Sequence, residues 1–158
     1  MQRPVRFLST SLVLAALAGA AIAASHIDPA VEGAMTARNA HMQLYGFNLG
    51  PLGAMAQDKM PYDAAVASTA AANLAALAAL DQSRYWVEGS DTSVEGSRAL
   101  PAIWENMADF DAKQQDLATA SAALAAAAGT DLEALKAAFG PVGAACGACH
   151  QTYRASDG

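Results

Sequence analysis

The chain of 158 residues has only two cysteines, few aromatic side chains and little charge. Aromatic residues make up 6% and charged residues 15% of it, and β-branched residues are scarce beside the abundant alanine. Two cysteines fall short of the usual four-ligand zinc site. Basic residues number nine against 15 acidic ones, which disfavours binding to nucleic acid or to anionic lipid. These absences leave an acidic, alanine-rich helical protein as the expectation.

What the sequence does contain is a Cys-x-x-Cys-His pattern near its C-terminus, formed by Cys146, Cys149 and His150. On an α-helix these positions share one face, because they are spaced i, i+3 and i+4. Two thiols there can bond to the vinyl groups of a haem while the imidazole binds its iron, which predicts one covalent haem c per chain. A thioredoxin-like pair would lie beside a strand-helix-strand unit, and no strand pattern precedes these residues. A solitary disulfide and a chance match are the remaining alternatives.

Residues 1–23 have the features of a cleaved secretory signal peptide. Arg3 and Arg6 precede an apolar run over residues 7–24 that closes with the small-x-small pattern Ala21-Ile22-Ala23. Cleavage would leave one domain, residues 24–158, in the periplasm, where c-type haem is attached in bacteria. An uncleaved anchor is the alternative, since the run is near the lower length limit for spanning a bilayer.

Hydrophobic spacing and turn residues predict four helices, and therefore an all-α, antiparallel up-down four-helix bundle around the covalently bound haem. Gly50 and Pro51 predict a bend or break in the first helix, and Pro101 opens the third. Thr130 and Glu133 form a capping box at the start of the fourth. The predicted spans are residues 28–57, 61–81, 101–129 and 130 onward into the haem motif, with a Gly- and Ser-rich loop over residues 82–100.

The sequence resembles the class II c-type cytochromes, the cytochrome c′ family with its low-spin, Met-ligated relatives. The resemblance rests on the C-terminal place of Cys-Gly-Ala-Cys-His-Gln-Thr-Tyr-Arg over residues 146–154 and on the segment 135–143 before it. It extends to residues 37–39, to Gly-Pro-Leu at 50–52 with Met-Pro-Tyr-Asp at 60–63, and to Pro-Ala-Ile-Trp at 101–104. The resemblance implies a four-helix bundle that carries haem and commonly pairs as a homodimer through its first two helices.

The resemblance also implies roles for individual residues. His150 would be the proximal iron ligand, and Arg154, one turn later, would lie beside the proximal haem face; a solvated charge at a helix end is the alternative for Arg154. Met42 falls where the family presents a residue over the iron, either as a sixth ligand or as an apolar cover. Arg38, four residues earlier, would pair with a haem propionate. His41 is the weaker candidate for the sixth ligand, because it is rotated about 100° around the helix from Met42.

Two functions follow from these two states of Met42. A ligating Met42 predicts a one-electron carrier that exchanges electrons with redox partner proteins. A non-ligating Met42 predicts a five-coordinate, high-spin iron that binds nitric oxide or carbon monoxide. Enzymatic turnover such as peroxidase activity is not expected, because Met42 and its neighbours offer no clear distal acid-base pair. Without the signal peptide, seven basic residues would face 15 acidic ones, a formal charge of about −8 that favours a basic docking partner and no nucleic acid.

Overall fold

Helices account for most of the chain in a computed structural model that describes residues 27–156. The predicted signal peptide lies outside the described residues. A single 3₁₀ turn, Ser83–Tyr85, interrupts the long loop that follows the second helix. The helices are α1 Pro29–Ala56, α2 Ala64–Ala78, α3 Ala102–Glu105, α4 Met107–Ala127 and α5 Leu132–Tyr153.

The four long helices pack as a closed ring. α1 contacts α2 and α5, and α4 contacts the same two helices from the other side. The one-turn helix α3 is an appendage of this ring that contacts α4 and α5. The predicted all-α, four-helix bundle is therefore confirmed. Among residues 27–156, no helix combines the length and apolarity that crossing a bilayer would require.

Short polar side chains define where the long helices begin. The carboxylate of Asp28 accepts a hydrogen bond from the amide of Ala30 at 2.7 Å, and Asp63 accepts from the first turn of α2 at 2.9 and 3.0 Å. α5 is capped by Asp131, whose carboxylate accepts from the amide of Ala134 at 2.8 Å. The predicted capping box at Thr130 is thus wrong by one residue. Aspartate is at least as good an N-cap as threonine, so Asp131 can cap α5 in place of Thr130.

Two further helix predictions differ from the structure. The third predicted helix is split, because Asn106 leaves helical geometry and caps α4 by accepting from the amide of Asp109 at 3.4 Å. α1, by contrast, continues through Gly50 and Pro51, so the predicted break is wrong, while the alternative of a bend there stays a prediction. Proline removes one helical hydrogen bond, which would have ended on the carbonyl of Phe47. Phe47 is exposed, so water can satisfy that carbonyl.

The core is divided into two clusters along the bundle. The larger cluster fills the seams between the long helices with alanine and a few fully buried larger side chains, including Leu52, Leu74, Leu124 and Leu135. The smaller one joins the loop and α3 to α4 and α5 through Ala99, Ile103, Phe110 and Tyr153. A cavity occupies the space beside the smaller cluster, where the apolar packing is interrupted.

Candidate haem site

A cavity of about 450 Å³ opens between α1, α4, α5 and the loop over residues 82–100. Its walls are mainly apolar, and the residues of the Cys-x-x-Cys-His motif form one side of it. This combination of a large, mostly apolar space with a few placed polar groups is typical of a cofactor site. The apolar and aromatic wall includes Leu49, Trp86, Ile103, Phe110, Leu117 and Tyr153.

Cys146, Cys149 and His150 all line this cavity from α5. Burial raises the pKa of both thiols above its usual value, and the two sulfurs are not joined as a disulfide. The pKa of His150 is lowered, first by burial and then by the cations Arg154 and Arg98. A lowered pKa keeps the imidazole neutral near pH 7, the form that binds a metal. Among residues 27–156, no cluster of three or more His, Cys, Asp or Glu offers a competing metal site.

A second part of the cavity wall is one face of α1. Arg38, Met42, Tyr45 and Leu49 follow each other at helical spacing along the cavity. The buried phenol of Tyr45 accepts a hydrogen bond from Gln82 at 3.4 Å, and burial raises its pKa to about 12. Met42 and His150 thus line the same cavity from different helices, and the place of Met42 over the iron stays a prediction.

His41 lies outside the cavity wall. Its ring is buried between Tyr45 and Tyr85, with ring centroids 4.6 and 5.6 Å away. Burial lowers the pKa of His41, and its Nε2 atom has no hydrogen-bond partner among the described residues. Met42 lines the cavity and the neighbouring His41 does not, as the rotation of about 100° between successive helical residues predicts.

Arg38 is buried and holds the loop against α1. Its guanidinium donates to Ser90 Oγ at 2.8 Å, to Ser97 Oγ at 2.7 Å and to the carbonyl of Ser90. It also lies 5.3 Å from the ring centroid of Trp86, within cation–π range. The contacts that the structure shows for Arg38 are thus with the loop, and its pairing with a propionate stays a prediction. Ser90 and Ser97 escaped the sequence reasoning, because a Ser-rich loop has no periodicity that would single them out.

Arg154 lies at the edge of the cavity immediately after α5. Its backbone pairs with Ala99 as an isolated antiparallel bridge, and the amide of Leu100 donates to the carbonyl of Tyr153 at 3.0 Å. This pairing brings Arg98 to the same edge, where its guanidinium donates to the carbonyl of Ala155 at 2.7 Å. No motif pointed to Arg98, since its position depends on pairing between segments about 55 residues apart.

Comparison with known proteins decides the family. The family profile described as Cytochrome C′ matches residues 33–154, which is most of the chain. The chain belongs to the cytochrome c′ family. It is 44% identical to cytochrome c-554 of Cereibacter sphaeroides, over 98% of this chain and 99% of that protein.

Solved members of the cytochrome c′ family share the fold. One is a cytochrome c′ described as having an unusual ligand-controlled dimer dissociation, with a TM-score of 0.74 and 32% identity over 84% of this chain and all of the other. Another is a nitric oxide complex of a variant cytochrome c′ from Alcaligenes xylosoxidans, with a TM-score of 0.72 and 34% identity over 83% of this chain and 100% of that one.

The cavity fits the cofactor of the cytochrome c′ family, and this chain binds covalent haem c. Two free thiols and a neutral imidazole share one wall of an apolar space, which is the donor set that thioether attachment and iron ligation need. In addition, the indole nitrogen of Trp86 is buried with no hydrogen-bond partner among the described residues. An orphaned polar atom in the wall is a feature that a cofactor with polar substituents can satisfy.

Proposed function

We propose that this cytochrome c′ family member is a one-electron carrier in which His150 and Met42 are the axial ligands of the iron. The observation that carries the proposal is that Met42, on α1, and His150, on α5, line the same cavity. Haem c supplies a one-electron redox couple, and a Met thioether as axial ligand raises its potential.

The chain's own residues would support this role as follows. Cys146 and Cys149 would hold the cofactor covalently, so it is not lost between partners. The apolar wall excludes water and lowers the local dielectric around the iron. Arg38, fixed by its bonds to the loop, would pair with a propionate through the part of its guanidinium that faces the cavity.

The visible absorption spectrum of the ferric protein tests the ligation. A low-spin band set with a sulfur-to-iron charge-transfer band is expected, and it should be lost in Met42→Leu, which keeps the side-chain volume but removes the sulfur. Met60→Leu is the matched control, since Met60 packs against the larger core cluster and does not line the cavity. A high-spin spectrum in the unaltered protein would contradict Met42 as a ligand.

The second candidate function is the binding of nitric oxide or carbon monoxide, which requires that Met42 only cover the iron. One related cytochrome c′ is known as a nitric oxide complex. Met42 lines the cavity from α1, and its apolar side chain could cover the iron while a small uncharged gas binds there. A ferrous spectrum that shifts on adding nitric oxide, from a high-spin start, would favour this function over the first. We expect no peroxidase turnover in either case.

We further propose that residues 1–23 direct export and are removed, so that residues 24–158 act in the periplasm. The basic start and apolar run of these residues support this. The intact mass of the protein purified from a periplasmic fraction tests it. A mature N-terminus near Ala24 is expected, and a chain that keeps Met1 would contradict it.

A homodimer through α1 and α2 is the proposed assembly. Leu44, Phe47 and Val66 are large apolar side chains that remain exposed on these helices, Phe47 by 78%. One related cytochrome c′ is described as a dimer that dissociates under ligand control. Phe47→Glu is therefore expected to halve the mass seen in light scattering, whereas Leu80→Glu, at an exposed site beyond α2, should leave it unchanged. A dimer that survives Phe47→Glu contradicts this face.

A further inference from the structure

Tyr45 is a buried polar residue of the cavity wall that the proposed function does not use. Its side chain lies on α1 and is only 6% exposed. It lines the cavity and also belongs to the larger core cluster. The ring packs edge-on against His41, with ring centroids 4.6 Å apart, and this contact restricts the rotation of the phenol. A buried, well-held phenol beside a cofactor cavity is suited to a polar role there.

The phenol group of Tyr45 has a donor that the protein leaves unused. A phenol can donate one hydrogen bond as well as accept others. Its oxygen accepts from the side-chain amide nitrogen of Gln82 at 3.4 Å, and that nitrogen cannot accept a proton in return. Among residues 27–156, no acceptor takes the phenolic proton. Because an unpaired buried donor destabilises a protein, an acceptor is expected in the cavity that Tyr45 lines.

Met42 is the acceptor that the helix brings closest to this phenol in the chain. It precedes Tyr45 by three residues on α1, and both side chains line the cavity. Residues at i and i+3 of a helix are neighbours, with Cβ atoms about 5–6 Å apart. A thioether sulfur accepts hydrogen bonds, although weakly. No Asp or Glu is among the described residues that line the cavity, so no carboxylate of the chain competes for the proton there.

We propose that Tyr45 is a positioning residue that donates a hydrogen bond to the thioether sulfur of Met42 and thereby raises the reduction potential of the iron. The proposal rests on the electron-carrier function above, in which that sulfur is an axial ligand. A hydrogen bond draws electron density from the sulfur, so the sulfur donates less to ferric iron and the ferrous state is favoured. Gln82 contributes by occupying the other side of the phenolic oxygen, which directs the proton away from its amide.

Potentiometric titration of Tyr45→Phe tests this role in the holoprotein. The variant keeps the ring and removes only the hydroxyl. At a fixed ambient potential, the ratio of ferric to ferrous protein should rise about threefold, because one weak hydrogen bond is lost. For a one-electron couple this is a fall of about 30 mV in midpoint potential. The sulfur-to-iron charge-transfer band should shift but persist, since Met42 stays bound. An unchanged potential overturns the proposal.

Tyr62→Phe is the matched control. It also removes one phenolic hydroxyl, but that group donates to the carbonyl of Ala128 at 2.9 Å and does not line the cavity. Tyr62→Phe should lower the urea midpoint while leaving the potential and the charge-transfer band unchanged. If both variants move the potential equally, the effect comes from a loosened bundle, and the role of Tyr45 is refuted.

A double-variant comparison identifies the acceptor. When Met42→Leu has removed the sulfur, adding Tyr45→Phe should change the potential much less than it does in the unaltered protein. A fall of the same size in both backgrounds overturns the proposal and assigns the proton to another acceptor, such as a haem propionate. A high-spin ferric spectrum of the unaltered protein refutes ligation by Met42 and the carrier function with it. A low-spin spectrum with a potential that does not respond to Tyr45→Phe refutes only the role of Tyr45.

Discussion

Replacing Arg38 by glutamine is expected to destabilise the holoprotein by about 3 kcal/mol. Arg38 makes three short hydrogen bonds to Ser90 and Ser97 and lies over Trp86. Charge-assisted hydrogen bonds contribute about 1.5–3 kcal/mol each, which would suggest a larger loss. Two effects reduce it: Ser90 keeps partners in Val87 and Ser97, and removing a buried cation recovers its desolvation cost.

Urea denaturation followed by circular dichroism measures this loss of unfolding free energy. Thermal denaturation should show a matching fall of about 10 °C in Tm. Arg84→Gln is the control, since Arg84 lies in the same loop but is exposed. The stability of Arg38→Lys should lie between those of the unaltered protein and Arg38→Gln. The lysine ammonium keeps the charge but lacks the planar guanidinium that bonds to both serines. If Arg38→Gln costs less than about 1 kcal/mol, the loop is not held by this guanidinium and the reasoning is refuted.

Three further outcomes are expected. Because the pKa of His41 is lowered in the folded protein, the unfolded chain binds this proton more readily. The free energy of unfolding should therefore be full above pH 6.5 and fall as the pH drops below it. His41→Phe should weaken this pH dependence in urea titrations, and an unchanged dependence would contradict the prediction. Cys146→Ala/Cys149→Ala should yield a loosely folded chain with weak near-UV circular dichroism, because the cavity would stay unfilled; native cooperative unfolding would contradict this. Asp63→Ala should cost about 1 kcal/mol through loss of the α2 cap, and no measurable change in the urea midpoint would refute it.

Local patterns in the sequence predicted most of the helical framework. Apolar spacing located all four long helices, and the spacing of Cys146, Cys149 and His150 predicted a shared face that the structure confirms. The errors came where a short polar side chain caps a helix at an unexpected position. Asp131 rather than Thr130 caps α5, and Asn106 divides the third helix because its side chain can cap a new one.

The loop over residues 82–100 was beyond sequence reasoning for a different reason. Its contacts are made with segments distant in the chain: Ser90 and Ser97 with Arg38, and Arg98 with the end of α5. Such long-range contacts produce no periodic pattern of residue types in the sequence. Met42 lines the cavity, and both its place over the iron and its bond to the iron stay predictions.

Both cysteines are expected to bond one haem to the chain. The intact mass of the purified protein, measured after denaturation in acidified acetone, tests it most directly. We expect a mass equal to the mature polypeptide plus one haem, with the colour retained by the protein. A mass equal to the polypeptide alone, with the colour extracted into the solvent, would contradict it.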